Sequence, residues 1–263
     1  MSDEQQRLAF TIDLAQRAGE LGMRFFRELD KLTIESKGHQ DLVSNGDREV
    51  ELFVRAAIAE RYPQDGIVGE EHAPVSGSSG YRWIIDPIDG TANFVRGIPA
   101  WAVVIACVHD GSTVVGVVHE PCSGETFSAR LGGGAFVNGR PIRVTSATSL
   151  TQGSVGVGCS NRSVAGHVLP LIEMLLGAGG LFFRNASGAL MLAYVGAGRL
   201  LGYAEEHMNA WDCLAAMLII EEAGGIVEQP DTQRMIEHGM RVLAGGPGVY
   251  DAIRDMALDA FSR

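Results

Sequence analysis

The 263-residue sequence predicts a mixed α+β and α/β fold built in two halves, 1–150 and 151–263. Three patterns predict it. Helical periodicity opens the chain. From about residue 67 the apolar period shortens to that of antiparallel strands joined by tight turns. After about residue 150, short apolar strands alternate with helical segments.

Taken in order, Ser2-Asp3-Glu4-Gln5 is a capping box that opens a helix with Leu8, Ile12 and Ala15 on one face. A polar, turn-rich stretch, ESKGHQDLVSNGD, leads to a second helix from Asp47 to Tyr62. It carries Val50, Phe53, Val54, Ala57 and Ile58 at helical spacing, and Pro63 stops it. Ile67-Val68 and Trp83–Ile85 are strands ending in GEE and DPIDG, separated by the small-residue loop HAPVSGSSG, which is expected to be mobile. Ala102–Val108 and Thr113–Val118 form a hairpin around Asp110-Gly111. Thr126–Arg130 and Ile142–Thr145 continue as strands, with Asn138-Gly139 as a further turn. In the second half, Ser154–Gly158, Leu181–Phe183 and Leu200–Glu205 read as strands. His167–Leu176, Ser187–Val195, Trp211–Ala223 and Val249–Phe261 read as helices, the third closed by Gly224-Gly225.

Composition narrows the function classes. The longest apolar runs, Ala100–Val108 and Cys213–Ile220, are too short to cross a bilayer, and the acidic, polar start MSDEQQRLAF does not resemble a signal peptide, so a cytoplasmic location is expected. The four cysteines form no C-x-x-C pair, which argues against a disulfide framework or a zinc site. Net charge is −11 with only two lysines, Lys31 and Lys37, so no nucleic-acid partner is expected. An acidic chain binds phosphate if metal ions supply the positive charge.

The chemistry-bearing signal is a set of acids just beyond strands or at helix starts: Glu70/Glu71, Asp86/Asp89, Glu205/Glu206 and Asp212. A lone Gly-Glu-Glu is ordinarily solvated surface, and a lone Asp at a helix start is ordinarily a cap. In DPIDGT, however, two carboxylates end an apolar strand, where desolvation and mutual repulsion are costly unless a cation lies between them. Hard divalent cations such as magnesium take such oxygen ligands, and the amides of Gly90 and Thr91 would form an anion cradle beside them. The chain has no G-x-S-x-G nucleophile motif and no H-x-x-x-H pair, so hydrolysis without a covalent intermediate fits better than a serine or zinc hydrolase.

These residues also carry a family resemblance. GEE, then WIIDPIDGTANFVRGIP, then WDCLAAMLIIEEAGG resemble the inositol monophosphatase family of metal-dependent, lithium-sensitive phosphatases over nearly the whole chain. The resemblance implies a layered α/β/α/β/α sandwich of the sugar-phosphatase type, assembled as a homodimer and using two to three Mg2+ ions. It implies one metal on Glu70, Asp86 and the Ile88 carbonyl, a second on Asp86, Asp89 and Asp212, and a weaker third near Glu70. The catalytic residues it implies are Thr91, Asp47 and Glu70, the Thr91–Asp47 pair activating water, and Lys37 matches a lysine of the first active-site segment. Substrate contacts fall to Asp89, Gly90, Thr91, Arg184, Ser187, Glu205 and Asp212, with His207 and Asn209 near the pocket mouth. The ring-binding segment departs from the family pattern, because Ala186 stands where the family has glycine.

The expected activity is therefore Mg-dependent hydrolysis of a small polyol or sugar phosphate, with inositol 1-phosphate as the default substrate. Fructose bisphosphate, histidinol phosphate and adenosine bisphosphate are alternatives within the same chemistry. A second class is a protein-binding regulator with incidental phosphatase activity, as some bacterial members of the family resemble. A purely structural metal module fits least, because it leaves the amide cradle and Thr91 unexplained.

Overall fold

The computed structural model describes residues 2–38, 41–160 and 162–262. Two helices start the chain, α1 (Asp3–Phe26) and α2 (Asn45–Arg61), with a small antiparallel hairpin, β1 (Ile34–Gly38) and β2 (Asp41–Ser44), between them where sequence suggested a loop. A seven-stranded sheet follows, made of β3 (Gly66–Gly69), β4 (Tyr81–Asp89), β5 (Ala102–His109), β6 (Ser112–Glu120), β7 (Glu125–Arg130), β8 (Gly134–Val137) and β9 (Arg140–Pro141), ordered as numbered. The one-turn helix α3 (Thr91–Phe94) interrupts it after β4. The chain then forms β10 (Ser154–Val157), α4 (Ala165–Gly177), β11 (Leu181–Phe183), α5 (Gly188–Gly196), β12 (Gly202–Met208), α6 (Ala210–Glu222), β13 (Ile226–Val227), α7 (Thr232–His238), β14 (Met240–Gly245) and α8 (Tyr250–Phe261). These strands make a five-stranded sheet ordered β11-β10-β12-β14-β13, parallel from β11 to β12 and antiparallel beyond.

Period-two burial generates the layering. On β5, Val103, Ile105 and Cys107 pack into one core with α1 and α2, while Ala102, Val104, Ala106 and Val108 pack into another with α5 and α6. The residues of β12 and β14 divide between that second core and a third beneath α4 and α8. The order is α1/α2, seven-stranded sheet, α5/α6, five-stranded sheet, α4/α8: the expected five-layer α/β sandwich. Helix α6 is covered by sheets on both sides, and Cys213 to Ile220 are all buried, as an apolar run without a polar face requires.

Several local expectations are met. Ser2 caps α1 reciprocally with Gln5, and β5 and β6 join through Asp110-Gly111 with φ of 48° and 77°, the left-handed pair a two-residue hairpin turn needs. Others change. The buried stripe of α1 is Arg7, Thr11, Leu14, Ala15, Ala18, Gly19 and Gly22, with Leu8 and Ile12 only half-buried. The stripe rotates because Arg7 is drawn inward to Asp65, their atoms 2.5 Å apart. Ile142–Thr145 is not a strand: Ile142 N–H bonds the Ala135 carbonyl and Val144 N–H the Ala223 carbonyl. Loop 72–80 is pinned, since Val75 pairs with Ile67 in both directions and Ser78 and Ser79 amides bond Gln64. β8, β13, α7 and β14 had no clear sequence signal.

Candidate active site

The site begins with a bulge. In a regular strand, residues three apart point to opposite faces, so Asp86 and Asp89 would diverge. Asp86 pairs with Val104 and Asp89 with Ala102, so three steps on β4 match two on β5. Val104 and Ala102 both face α5 and α6, and the extra residue turns both carboxylates toward those helices. Pro87 sits in the bulge, where its missing donor is tolerated, and the Ile88 amide closes on Asp86 Oδ1 at 2.9 Å.

The two central helices deliver the rest. Asp89 Oδ2 accepts from the Ala189 amide in the first turn of α5 (2.9 Å) and from the Ser187 hydroxyl, which caps that helix. Asp212 lies in the first turn of α6, its Oδ2 accepting from the Asn209 amide at 3.1 Å. Both carboxylates therefore meet the partly positive end of a helix. Oxygens of Asp86, Asp89 and Asp212 all lie within 4.8 Å of one another. Burial, reinforced by the other acids, raises Asp86 well above the usual carboxylate range. Burial and Asp212 push Asp89 up to about 7 against its hydrogen bonds, and burial likewise raises Asp212. Three carboxylates so placed favour a positive charge among them, and their hard oxygen donors suit a divalent cation.

A cavity of about 540 Å³ opens over this cluster. Glu70, Asp89, Gly90, Thr91, Arg184, Glu205 and Asp212 line it, so the structure brings most of the sequence-selected residues to one place. Glu70 lies outside the tight group of three but is near enough to raise Asp86. Gly90 turns with φ of 96°, and a Cβ there would lie 2.9 Å from the Ala100 carbonyl, so both conformation and space require glycine. Thr91 Oγ1 is 2.9 Å from Asp47 Oδ1 and 3.1 Å from the Ile88 carbonyl. Asp47 is buried at the third position of α2, its other oxygen held by the amide and hydroxyl of Ser44, and burial raises its pKa.

On the opposite wall, burial pushes Glu205 up to about 8, opposed by the Tyr203 hydroxyl at 2.5 Å. Exposed Arg184 bonds the Cys159 carbonyl. Ser187, expected to touch substrate, is fully buried behind Asp89. His207 is engaged by Arg162 and the His238 carbonyl, while Asn209 caps α6 and lines the cavity. The Lys37 side chain lies outside the described residues. Sequence reading missed Asn93, whose amide bonds the carbonyls of Ala100 and Asn185 at 2.7 Å each and ties α3 to the segment entering α5. It also missed Tyr203 and the acid Glu51, whose single clue was a charge on the buried stripe of α2.

The sequence profile of the inositol monophosphatase family matches residues 3–257. The chain belongs to that family. Membership places it among phosphoric monoester hydrolases that depend on metal ions, as the acidic cluster suggests. It is 38% identical over 246 residues to an inositol-1-monophosphatase of Mesorhizobium japonicum, covering 92% of each chain. It is 35% identical over 257 residues to the Nus factor SuhB of Pseudomonas aeruginosa, covering 95% of this chain and 94% of that one. Among solved structures, the extragenic suppressor protein SuhB of Bartonella henselae superposes with a TM-score of 0.90 at 31% identity, over 96% of this chain and 98% of that one. An inositol monophosphatase of Thermotoga maritima superposes with 0.87 at 32%, over 98% of both. No helix among the described residues is long and apolar enough to cross a membrane.

Proposed function

We propose that the protein hydrolyses a small polyol or sugar phosphate, by default inositol 1-phosphate, with Mg2+ as the metal and water as the nucleophile. The observation that carries this reading is the convergence of Asp86, Asp89 and Asp212 within 4.8 Å beside a cavity lined by Asp89, Asp212 and Thr91, with buried Asp47 behind the Thr91 hydroxyl. Asp86, Asp89 and Asp212 would hold the cation, with Glu70 and the Ile88 carbonyl completing a second position. Bound there, the metal supplies Lewis-acid stabilisation of phosphate charge and lowers the pKa of water. Asp47 accepts the Thr91 hydroxyl proton in a hydrogen bond, which leaves the Thr91 oxygen oriented to accept one from the attacking water. Amides of Gly90 and Thr91 face the phosphate oxygens. Glu205 and Arg184, across the cavity, meet the alcohol portion of the substrate.

The test is phosphate release by purified protein across inositol 1-phosphate, fructose bisphosphate, histidinol phosphate and adenosine bisphosphate, with and without Mg2+. Asp89→Asn serves as the blank. Magnesium-dependent turnover absent from that variant supports the reading, and the ranking of kcat/KM selects the substrate. Folded protein that turns over none of these esters refutes it. The SuhB relatives favour a second reading, a regulator that binds other proteins. Asp89→Asn that fully restores function to a deletion strain supports the regulator, whereas failure to restore it supports catalysis. A homodimer is part of the first reading and is checked by light scattering.

A further inference from the structure

We infer that Glu51, a residue outside the acidic cluster, is a positioning residue for Glu70 and so sets the affinity of the metal site. The inference rests on the metal-dependent reading above. Glu51 is completely buried on α2, where an ionised side chain is costly unless every lone pair has a purpose. Its Oε2 accepts from the Glu71 amide at 2.7 Å, and its Oε1 accepts from the His72 amide at 3.2 Å. Arg55, one turn further along the helix, donates through Nε to Glu51 Oε1 at 2.6 Å. The same guanidinium reaches the His72 carbonyl at 2.9 Å and the Ala73 carbonyl at 3.1 Å. Two amides and two carbonyls of the segment after β3 are thus held by one ion pair on one helix.

That segment carries Glu70, and its attachment leaves little freedom. A Cβ on Gly69 would lie 2.5 Å from the Glu51 carboxyl carbon, so the acid occupies the space a side chain would need. Glu51 also follows Asp47 by four residues, which puts the two acids on the same face of α2. Asp47 aims at Thr91, and Glu51 holds the chain just after Glu70 and fills the space beside Gly69 just before it. One rigid helix therefore sets both the hydroxyl arm and the outlying carboxylate arm of the site. A buried ion pair used only for stability could be replaced by well-packed apolar side chains. Apolar side chains could not satisfy the backbone groups of residues 71–73.

The experiment compares the full-length wild type with Glu51→Gln, Glu70→Gln and the double variant. Mg2+ binding is measured by isothermal titration calorimetry, alongside circular dichroism and thermal unfolding. Gln keeps the shape of Glu51 but turns an N–H toward a backbone N–H. The expected result is folded Glu51→Gln with Mg2+ affinity lower by about 10- to 100-fold, the range for residues that orient metal ligands. The double variant is expected to be no weaker than Glu70→Gln alone, because Glu51 acts through Glu70. Wild-type affinity in Glu51→Gln, or losses that multiply in the double variant, would overturn the inference while leaving the metal reading intact. Wild type that binds no Mg2+ would overturn both. If Glu51→Gln does not fold, Glu51→Asp, which keeps the charge but withdraws the carboxylate, takes its place with the same outcomes.

Discussion

Gly116 on β6 is the point where the fold and the site are joined most directly. Helix α6 crosses the seven-stranded sheet with the backbone of Ala215 over this glycine, and Asp212 lies three residues earlier on the same helix. In Gly116→Ala the new methyl would lie 2.4 Å from the Ala215 carbonyl oxygen and 2.8 Å from its Cα. Ordinary van der Waals contact begins at about 3.4 Å, so the helix must withdraw by about 1 Å. No side chain can swing aside, because the obstruction is backbone. Overpacking of this kind costs about 1–3 kcal/mol. For a chain of this size that corresponds to a fall in Tm of about 2–5 °C. Withdrawal of α6 carries Asp212 away from Asp86 and Asp89, and a displacement near 1 Å is expected to lower kcat/KM by about 10- to 100-fold. Thermal unfolding and phosphate release against Mg2+ concentration read the two effects separately. Gly177→Ala is the control: that glycine is helical, exposed and has nothing within 4 Å of a Cβ, so alanine should stabilise by about 0.5–1 kcal/mol. A Gly116→Ala protein with wild-type Tm and wild-type Mg2+ dependence would refute the argument that this contact sets the position of Asp212.

Three further outcomes are expected. Asp65→Asn, which removes the charge that pairs with buried Arg7 and accepts from the Trp83 indole, should destabilise by about 3 kcal/mol in urea unfolding; Asp3 keeps some of the compensation. Burial lowers His119 to about 4 from an ordinary 6.5, so the folded state refuses a proton that the unfolded state accepts between those values. Stability should therefore fall as pH drops from 6.5 toward 4, by up to about 3 kcal/mol, and His119→Gln should flatten that part of the urea-denaturation pH profile. Thr91→Ala should lower kcat by about 10²–10⁴-fold with Mg2+ binding retained, and Thr91→Ser should restore most of it; equal rates in all three proteins would remove Thr91 from the mechanism.

The helices and central strands were legible because their signals are local. A capping box at Ser2, a Pro63 stop, an Asp-Gly turn and an apolar run at 213–220 each report on the few residues around them. β14 was not legible. It lies between β12 and β13 through antiparallel pairing with both, and short edge-to-centre partners are recognised only by the chains beside them. Nor was the rotation of α1, since burying Arg7 depends on an aspartate 58 residues away. Ser187 shows the same limit within the site. Its position in the sequence suggested the cavity wall, but the layer spacing places its hydroxyl on Asp89.

Motif spacing in the sequence shows the family, and with that resemblance come the five-layer architecture and the acids proposed to carry the chemistry, because such spacing is a property of neighbouring residues. Tertiary structure alone decided how the acids meet. The bulge at Pro87 reverses the divergence of Asp86 and Asp89, the start of α6 brings Asp212 within 4.8 Å, and α2 reaches across to hold Thr91 and the Glu70 segment. Each of these pairings and contacts joins residues between 13 and 126 positions apart, within the sheet at the bulge and by the closing of layers on one another elsewhere. No local pattern encodes that closing, because it is set by the summed packing of every residue in the cores.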